Sequence, residues 1–443
     1  MAEPDGVEEI EQTGEIVERV AAIDIAKASG MVCVRTPHED KPGKRVQRVF
    51  NTLATSGAIL EAADHLICQG VTRVVMEATS TYWKSFFLLL ESRGLECRPV
   101  NARDVKNVPG RPKTDKLDAI RLAKLAERGM LRPSFPPPKP IRELRDFTRA
   151  RAVMTHERTR HKQRTEKLLE DAQIKLSTVI SDIFGVSGRA MLEAMIAGGR
   201  SPKALADLAH GTIKAGPAAL AQALTGRFEE HHAFMCRMPP DTVDYLSIQI
   251  DKLTARITTR LAGPSTTEDD DGPGQGTLMP ITDVERLDEI PGIGPNTAQV
   301  ILAEIGLDMS VFPTAGHLVS WAKLSPRTIR SGGKNTSGPT GKGNPWLRGA
   351  LGEAAISAAR TDTFLRARHR RIVKRRGHMK ALVAVARSIL VSVWHLMNNP
   401  IARYRELGPD YHTRNLDPTR KTRDLIRQLK ALGHDVTLAP ATA

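Results

Sequence analysis

The stretch Val17-Glu-Arg-Val-Ala-Ala-Ile-Asp-Ile25, followed by Met31-Val-Cys-Val-Arg-Thr36 and Arg45-Val-Gln-Arg-Val-Phe50, decides the fold of the N-terminal third. Each run is short, rich in β-branched residues and bounded by a turn, Ser29-Gly30 after the first and Pro42-Gly43 after the second. Such runs are strands joined as hairpins. Working outward, Ile59, Leu60, Ala63, Leu66 and Ile67 recur at helical spacing, and Gly70 closes the run. The pattern then predicts a strand over 72–77, a helix over 82–93, a strand over 96–101 and a helix over 114–128. Three adjacent strands followed by strand–helix alternation describe an α/β domain over 17–132 whose later strands are parallel. Residues 1–16 read as a disordered acidic leader.

Pro133, Pro136, Pro137, Pro138 and Pro140 end that domain. The pattern beyond is all-α. A long helix is expected from 141 to about 183, apolar at its ends (Leu144, Phe147; Leu168, Leu169, Ile174, Leu176) but with no apolar residue over 155–167. A helix polar on every face is expected to project into solvent, onto another chain or onto nucleic acid. Its antiparallel return is expected over 217–261, broken at Met238-Pro239-Pro240, so that 141–262 form a helical coiled-coil stalk. Residues 263–280, rich in Gly, Pro, Ser, Thr and acids, read as a linker. A helical domain with one Gly-rich basic loop follows over 281–400, then a charged tail over 401–443 with a short helix near 424–432.

The charge balance narrows the partners. Net charge is +15 over 443 residues, and residues 321–380 hold fifteen Lys/Arg against Glu353 and Asp362. Cations concentrated in this way favour a polyanion, because each one laid on a phosphate releases counterions. Cys33, Cys68, Cys97 and Cys236 show no CxxC spacing, which excludes a zinc ribbon and fits a reducing cytosol. Thirteen histidines form no HxxxH or HExxH pair, so a metal here is expected on oxygen ligands. The longest apolar run, 381–394, is interrupted by Arg387 and falls short of the ~20 residues a bilayer needs, so no membrane span is expected. The acidic N-terminus is the opposite of a secretory signal.

Three constellations carry chemistry. Asp24 and Glu77 end two strands, and Asp115 and Asp118 open a later helix at i, i+3. Each has a plain reading as a strand-end turn residue or a helix-dipole acid. Together, converging at one sheet edge, they call for cations, and two Mg²⁺ ions ~3.5–4 Å apart are the usual solution in phosphodiester chemistry. The second constellation is Leu287-Asp-Glu-Ile-Pro-Gly-Ile-Gly-Pro-Asn-Thr-Ala, which matches a helix–hairpin–helix, Gly292 and Gly294 letting backbone amides approach a phosphate. A tight αα-turn is the plain alternative.

The third is the loop from Leu324 to Arg348, where glycines alternate with Arg330, Lys334 and Lys342. It is not a Walker A loop, because Gly343 follows Lys342 and Thr336 stands where the first glycine belongs. Ser331, between Arg330 and Gly332-Gly333, reads from the residues alone as a turn serine. The same exposed hydroxyl beside fixed positive charge also suits attack on phosphorus. Beyond it, residues 364–380 form a basic helix, free of acids, able to follow phosphates. Trp321, Trp346 and Trp394 read as core rather than base-stacking platforms.

In this order, Asp24, Glu77, Lys113-Thr-Asp-Lys-Leu-Asp-Ala119, a helical insert, Pro291-Gly-Ile-Gly294, Ser331-Gly-Gly-Lys334, Gly341-Lys-Gly-Asn344 and Leu347-Arg348, the chain resembles the DEDD transposases of bacterial insertion sequences, the IS110 group related to Piv-type invertases. The resemblance spans roughly 17–400. It implies an RNase H-like, RuvC-type N-terminal domain whose Asp24, Glu77, Asp115 and Asp118 hold Mg²⁺, and a C-terminal transposase domain whose serine, here Ser331, links covalently to DNA. It further implies donor and target DNA, a structured bridge RNA as guide, a homo-oligomer (dimer or tetramer) and a cytoplasmic, nucleoid-associated protein. Lys113, Gly292, Gly294, Arg330, Lys334, Lys342 and Arg348 are the expected nucleic-acid contacts. A RuvC-like endonuclease using water and indifferent to Ser331, or a non-catalytic domesticated binding protein, are the alternatives.

Overall fold

The computed structural model describes residues 17–78, 80–100, 114–131, 134–211, 213, 215–262, 281–326, 328–415 and 417–438, with the backbone alone at 328–331, 334–337 and 420. The leader, the 263–280 segment and Lys113 lie outside the described residues. The chain divides into two compact units, Met1–Pro138 and Lys139–Ala443.

In the first unit, β1 (Val20–Ile25), β2 (Ser29–Pro37) and β3 (Arg45–Leu53) form an antiparallel meander. After α1 (Ser56–Cys68), β4 (Arg73–Glu77) joins parallel to β1; after α2 (Trp83–Ser92), β5 (Glu96–Val100) joins parallel to β4. The sheet order is β3-β2-β1-β4-β5. Side-chain alternation splits the core in two. Ala21, Ile23 and Ile25 of β1 face Ile59, Ala63 and Leu66 of α1 and Phe86, Phe87 and Leu90 of α2. Val20 and Ala22 face the other way, with Cys33 and Val75, against Ala119, Leu122, Ala123 and Ala126 of α3 (Asp115–Glu127). Each fully buried large side chain, Phe86 and Leu90 among them, contributes ~1.5–3 kcal/mol.

In the second unit, α4 (Lys139–Asp171) and α8 (Glu230–Leu261) pair antiparallel. Arg260 reaches Glu143 at 2.9 Å, Arg158 reaches Ser247 at 3.2 Å, and His232 meets Asp171 at 3.2 Å. Three expectations fail here. First, α4 stops at Asp171 rather than near 183: Gln173 turns the chain with φ +62°, and Ile174 and Leu176 enter a separate core. Second, α8 runs unbroken through Pro239 and Pro240, both buried, so packing outweighs the ~3 kcal/mol a proline costs a helix interior. Third, the stretch 155–167 does not lack a packed face. Thr165 is fully buried, and Arg158 crosses to α8, its aliphatic stem covering the seam.

Between Phe184 and Gly216, where the sequence pattern suggests no element, the described residues include two further helices. There α5 (Val186–Ile196), α6 (Pro202–Ala206) and, just beyond, α7 (Pro217–Ala223) enclose a core of Met191, Leu192, Met195, Leu205 and Leu220, shared with Leu169 of α4 and Cys236 of α8.

The remaining chain forms α9 (Asp283–Asp288), α10 (Pro295–Ile305), α11 (Ala315–Trp321), a ribbon of β6 (Thr328–Ser331) and β7 (Lys334–Ser337), α12 (Pro345–Ala358), α13 (Phe364–Arg376), α14 (His378–Asn398), α15 (Tyr411–Arg414) and α16 (Pro418–Ala431). The Gly-rich loop is therefore partly a β-hairpin. Gly332 and Gly333 take φ +54° and +74°, the left-handed pair that a two-residue hairpin turn requires. Helix α14 is long and apolar enough to cross a membrane by length and composition, longer than the apolar run read from sequence. Its Ala381, Val385, Ile389, Leu390 and Val393 are buried, packed among α11, α12 and α13.

Candidate active site and nucleic-acid interface

Parity along the strands places the first acids. Asp24 shares the face of Val20 and Ala22, and Glu77 shares the face of Val75, so both project to the side covered by α3. The parallel register pairs Ile23 with Met76, which sets Asp24 beside Glu77 at the carboxyl ends of neighbouring strands. Both are half-buried.

The direction of α3 supplies the rest. Val17, just before β1, donates its N–H to the Glu127 carbonyl at 2.9 Å, and the Glu127 carboxylate pairs with Arg35 at 2.5 Å and Arg45 at 3.4 Å. The C-terminus of α3 is thus tied to the start of β1, and the helix runs back along the strand. Its ~18 Å length carries the first turn toward the strand ends where Asp24 and Glu77 sit. Asp115 and Asp118 occupy that turn and are exposed, and Thr114 caps it, its Oγ1 accepting from Leu117 N–H at 3.3 Å.

Four carboxylates therefore share one end of the sheet. They do not close into a trio at ligand distance: among the described residues the one group whose ligand atoms all lie within 4.8 Å is Asp171, His231 and His232. That group is a helix-end lock. The Nδ1 of His232 accepts the Glu229 N–H at 3.1 Å, so in the neutral ring the proton stays on Nε2, directed at Asp171.

In the second unit the two glycines of the Pro-Gly-Ile-Gly turn separate. Gly292 has φ +92°, and a Cβ there would lie 2.3 Å from the Ala354 carbonyl oxygen and 2.7 Å from the Ala358 nitrogen. Its reason for being glycine is close packing on α12. Gly294, the N-cap of α10, has nothing within 4 Å of where a Cβ would stand and leaves that helix start open. Ser331 is the last residue of β6, Arg330 precedes it, and Lys334 opens β7 opposite it in register. Lys342 is exposed, and exposed Arg348 donates to the Gly341 carbonyl at 3.4 Å.

A buried hub anchors this region, and sequence reasoning missed it. Glu304, wholly buried, accepts from Arg149 Nε and Nη2 at 2.7 and 2.8 Å and from Asn344 Nδ2 at 2.6 Å, with Arg145 at 3.5 Å. Asn344 in turn caps α12, accepting from the Trp346 and Leu347 amides. Arg149 also lies over the Trp346 ring at 5.8 Å. Burial, then the neighbouring Arg149, lowers the Arg145 pKa to about 10 against the pull of Glu304. The hub ties α4, α10 and the end of the Gly-rich loop together. Its one sequence signal was an acid amid the apolar run Val300-Ile-Leu-Ala-Glu-Ile305.

A mixed sheet with acids at its parallel strand ends is consistent with a DEDD, RNase H-like domain. Residues 21–174 match a family described as "Transposase", the DEDD transposases of IS110, and residues 284–370 match "Transposase IS116/IS110/IS902 family", together more than half of the chain. The chain belongs to the IS110 family of transposases. It is 37% identical over 105 residues to the "Insertion element IS110 uncharacterized 43.6 kDa protein" of Streptomyces coelicolor, a match covering 23% of this chain and 25% of that relative.

Proposed function

We propose that the chain is a Mg²⁺-dependent DNA recombinase that cuts and rejoins the ends of its own element. The observation that carries this is the convergence of Asp24, Glu77, Asp115 and Asp118 on one end of the sheet. An all-carboxylate donor set, two members half-buried and two exposed, fits a hard, partly hydrated divalent cation. Asp24, Glu77, Asp115 and Asp118 would hold it. When bound, the ion supplies Lewis-acid polarisation of the scissile phosphate.

Ser331 is the proposed nucleophile. Its Oγ loses a proton and bonds to phosphorus, one phosphate–deoxyribose ester bond breaks, and a deoxyribose hydroxyl leaves. The phosphodiester is kept as a phosphoserine link, so a second DNA hydroxyl can reverse the step. Lys334, Lys342, Arg348 and Arg330 neutralise the charge that develops on the phosphate oxygens. The open start of α10 at Gly294, read as the second helix of a helix–hairpin–helix, receives a backbone phosphate without reading bases. Sequence choice is then left to a structured guide RNA, with the α4–α8 pair acting as a coiled-coil stalk between protomers of a homo-oligomer.

The test is denaturing electrophoresis of Mg²⁺ reactions on labelled element-end DNA. Parent protein should give a protein–DNA adduct, Ser331→Ala none, and Asp24→Asn none while binding DNA normally. Full recombination by Ser331→Ala would favour water as nucleophile and end the serine assignment.

A further inference from the structure

Helix α13 presents Phe364, Arg368, Arg371 and Arg375 at i, i+4, i+7 and i+11, one continuous stripe. The neighbouring stripe, Leu365 and His369, is buried, with the His369 ring on His378 of α14 at 5.2 Å. The first stripe meets α15, where Phe364 packs on Tyr411 at 5.2 Å and on His412 at 5.0 Å. Behind that contact, Nε of Arg368 and Nε2 of His412 are buried with no hydrogen-bond partner among the described residues. An unmet buried donor costs ~1–3 kcal/mol, so Arg368 Nε, joined by His412 Nε2 in the tautomer that carries its proton there, asks for an acceptor.

Among the described residues no carboxylate is bonded to either group. Of the α13 cations, Arg366 has an ion-pair partner, Asp362. The nearby acids are engaged: Glu406 accepts from the Phe364 and Gly408 amides and the Tyr404 hydroxyl, and Asp410 pairs with Arg414. Arg387 of α14 adds a further cation. Burial, then Arg371 and Arg387, hold the Arg368 pKa below its ordinary value; burial, then Arg371 and Arg368, do the same to His412. Three helices thus gather four nitrogen-bearing groups around unmet donors.

We propose that Arg368, Arg371, Arg387 and His412 form a seat for one phosphodiester group of a nucleic-acid backbone, separate from the serine loop. Lys374, Arg375 and Arg376 continue the cations along α13, which fits a run of phosphates better than a lone anion. The choice of polyanion rests on the transposase reading.

The experiment uses the full chain in EDTA, so it reads binding even if no strand is ever cut. Fluorescence anisotropy follows a random-sequence DNA duplex and a structured RNA hairpin between 50 and 200 mM salt, for parent, Arg371→Ala, Arg368→Ala/Arg371→Ala and a control, Arg423→Ala in α16. Each phosphate left without its cation lowers the log–log salt slope by ~0.9 on duplex DNA. The double variant empties the one seat and should lose about one unit, so its gap from the parent closes by about threefold across that range. A lowered slope on either nucleic acid supports the seat and says which strand it holds. Unchanged slopes on both overturn it. Should the double variant melt early, exposed Arg371→Gln alone, with half the slope change, decides the matter.

Discussion

Replacing Gly292 by alanine should unfold the second unit far more readily than the same change two residues on. The backbone at Gly292 is left-handed, which costs an L-residue ~1–2 kcal/mol. The added Cβ must also clear the Ala354 carbonyl at 2.3 Å and the Ala358 nitrogen at 2.7 Å, both backbone atoms of α12 that no rotamer can move. Prising the turn from α12 by about an ångström opens the packing of Ile290 and Ile293, both buried, and adds an overpacking cost of ~1–3 kcal/mol. The sum, ~2–5 kcal/mol, lowers Tm by roughly 4–20 °C at ~2–4 °C per kcal/mol. At Gly294 φ is −113° and the space is open, so Gly294→Ala should leave Tm within about 2 °C, within the range of a mild cap change, while weakening duplex binding. Differential scanning fluorimetry of the two variants suffices. A Gly292→Ala protein that melts with the parent refutes the packing argument.

Other outcomes follow from the same geometry. Glu304→Ala strands Arg149 and half-buried Arg145 without a carboxylate, and should cost ~3 kcal/mol by chemical denaturation; a neutral effect would show the hub does not anchor the unit. Burial and His378 lower the His369 pKa, and burial with Arg371 and Arg368 lowers that of His412. Both take up a proton at lower pH in the fold than in the unfolded chain, which does so below ~6.5, so stability is complete above that pH and falls as the pH drops toward the folded values. Tm should therefore decline from pH 7 to about 5, and less so in His369→Asn/His412→Asn; a flat parent profile contradicts this. Burial raises the thiol pKa of Cys33 to about 11, of Cys97 to about 12 and of Cys236 to about 11, while Cys68 is exposed. One thiol, removed by Cys68→Ser, should react promptly with a disulfide reagent in the native protein, and equal rates for all four would be wrong for this fold.

The sheet was legible because its strands are short, β-branched and separated by turn residues, and because β1 alternates two small apolar faces. The acids at 24, 77, 115 and 118 were read as a set from the sequence; that Asp115 and Asp118 are carried toward the strand ends depends on α3 reversing along β1, which the Val17–Glu127 bond fixes and no local pattern announces. The second unit was read less well. Periodicity could not show that α8 continues through Pro239-Pro240, because their burial is a matter of tertiary packing that no local pattern carries. Polar 155–167 looked unpacked because arginine and threonine stems cover a seam as apolar residues do. The Gly292 reading confused two uses of glycine, close approach to a phosphate and close approach to another helix, which have the same letter in the sequence.

The proposed reaction requires that four acids distant in sequence together hold divalent metal. Fe²⁺ in place of Mg²⁺, with ascorbate and peroxide, cuts backbone near the ion it replaces. Fragments should end near residues 24, 77 and 115–118 together, be suppressed by excess Mg²⁺ and all be lost in Asp24→Asn. Cuts at a single one of these positions, or a pattern that Asp24→Asn leaves intact, would contradict it.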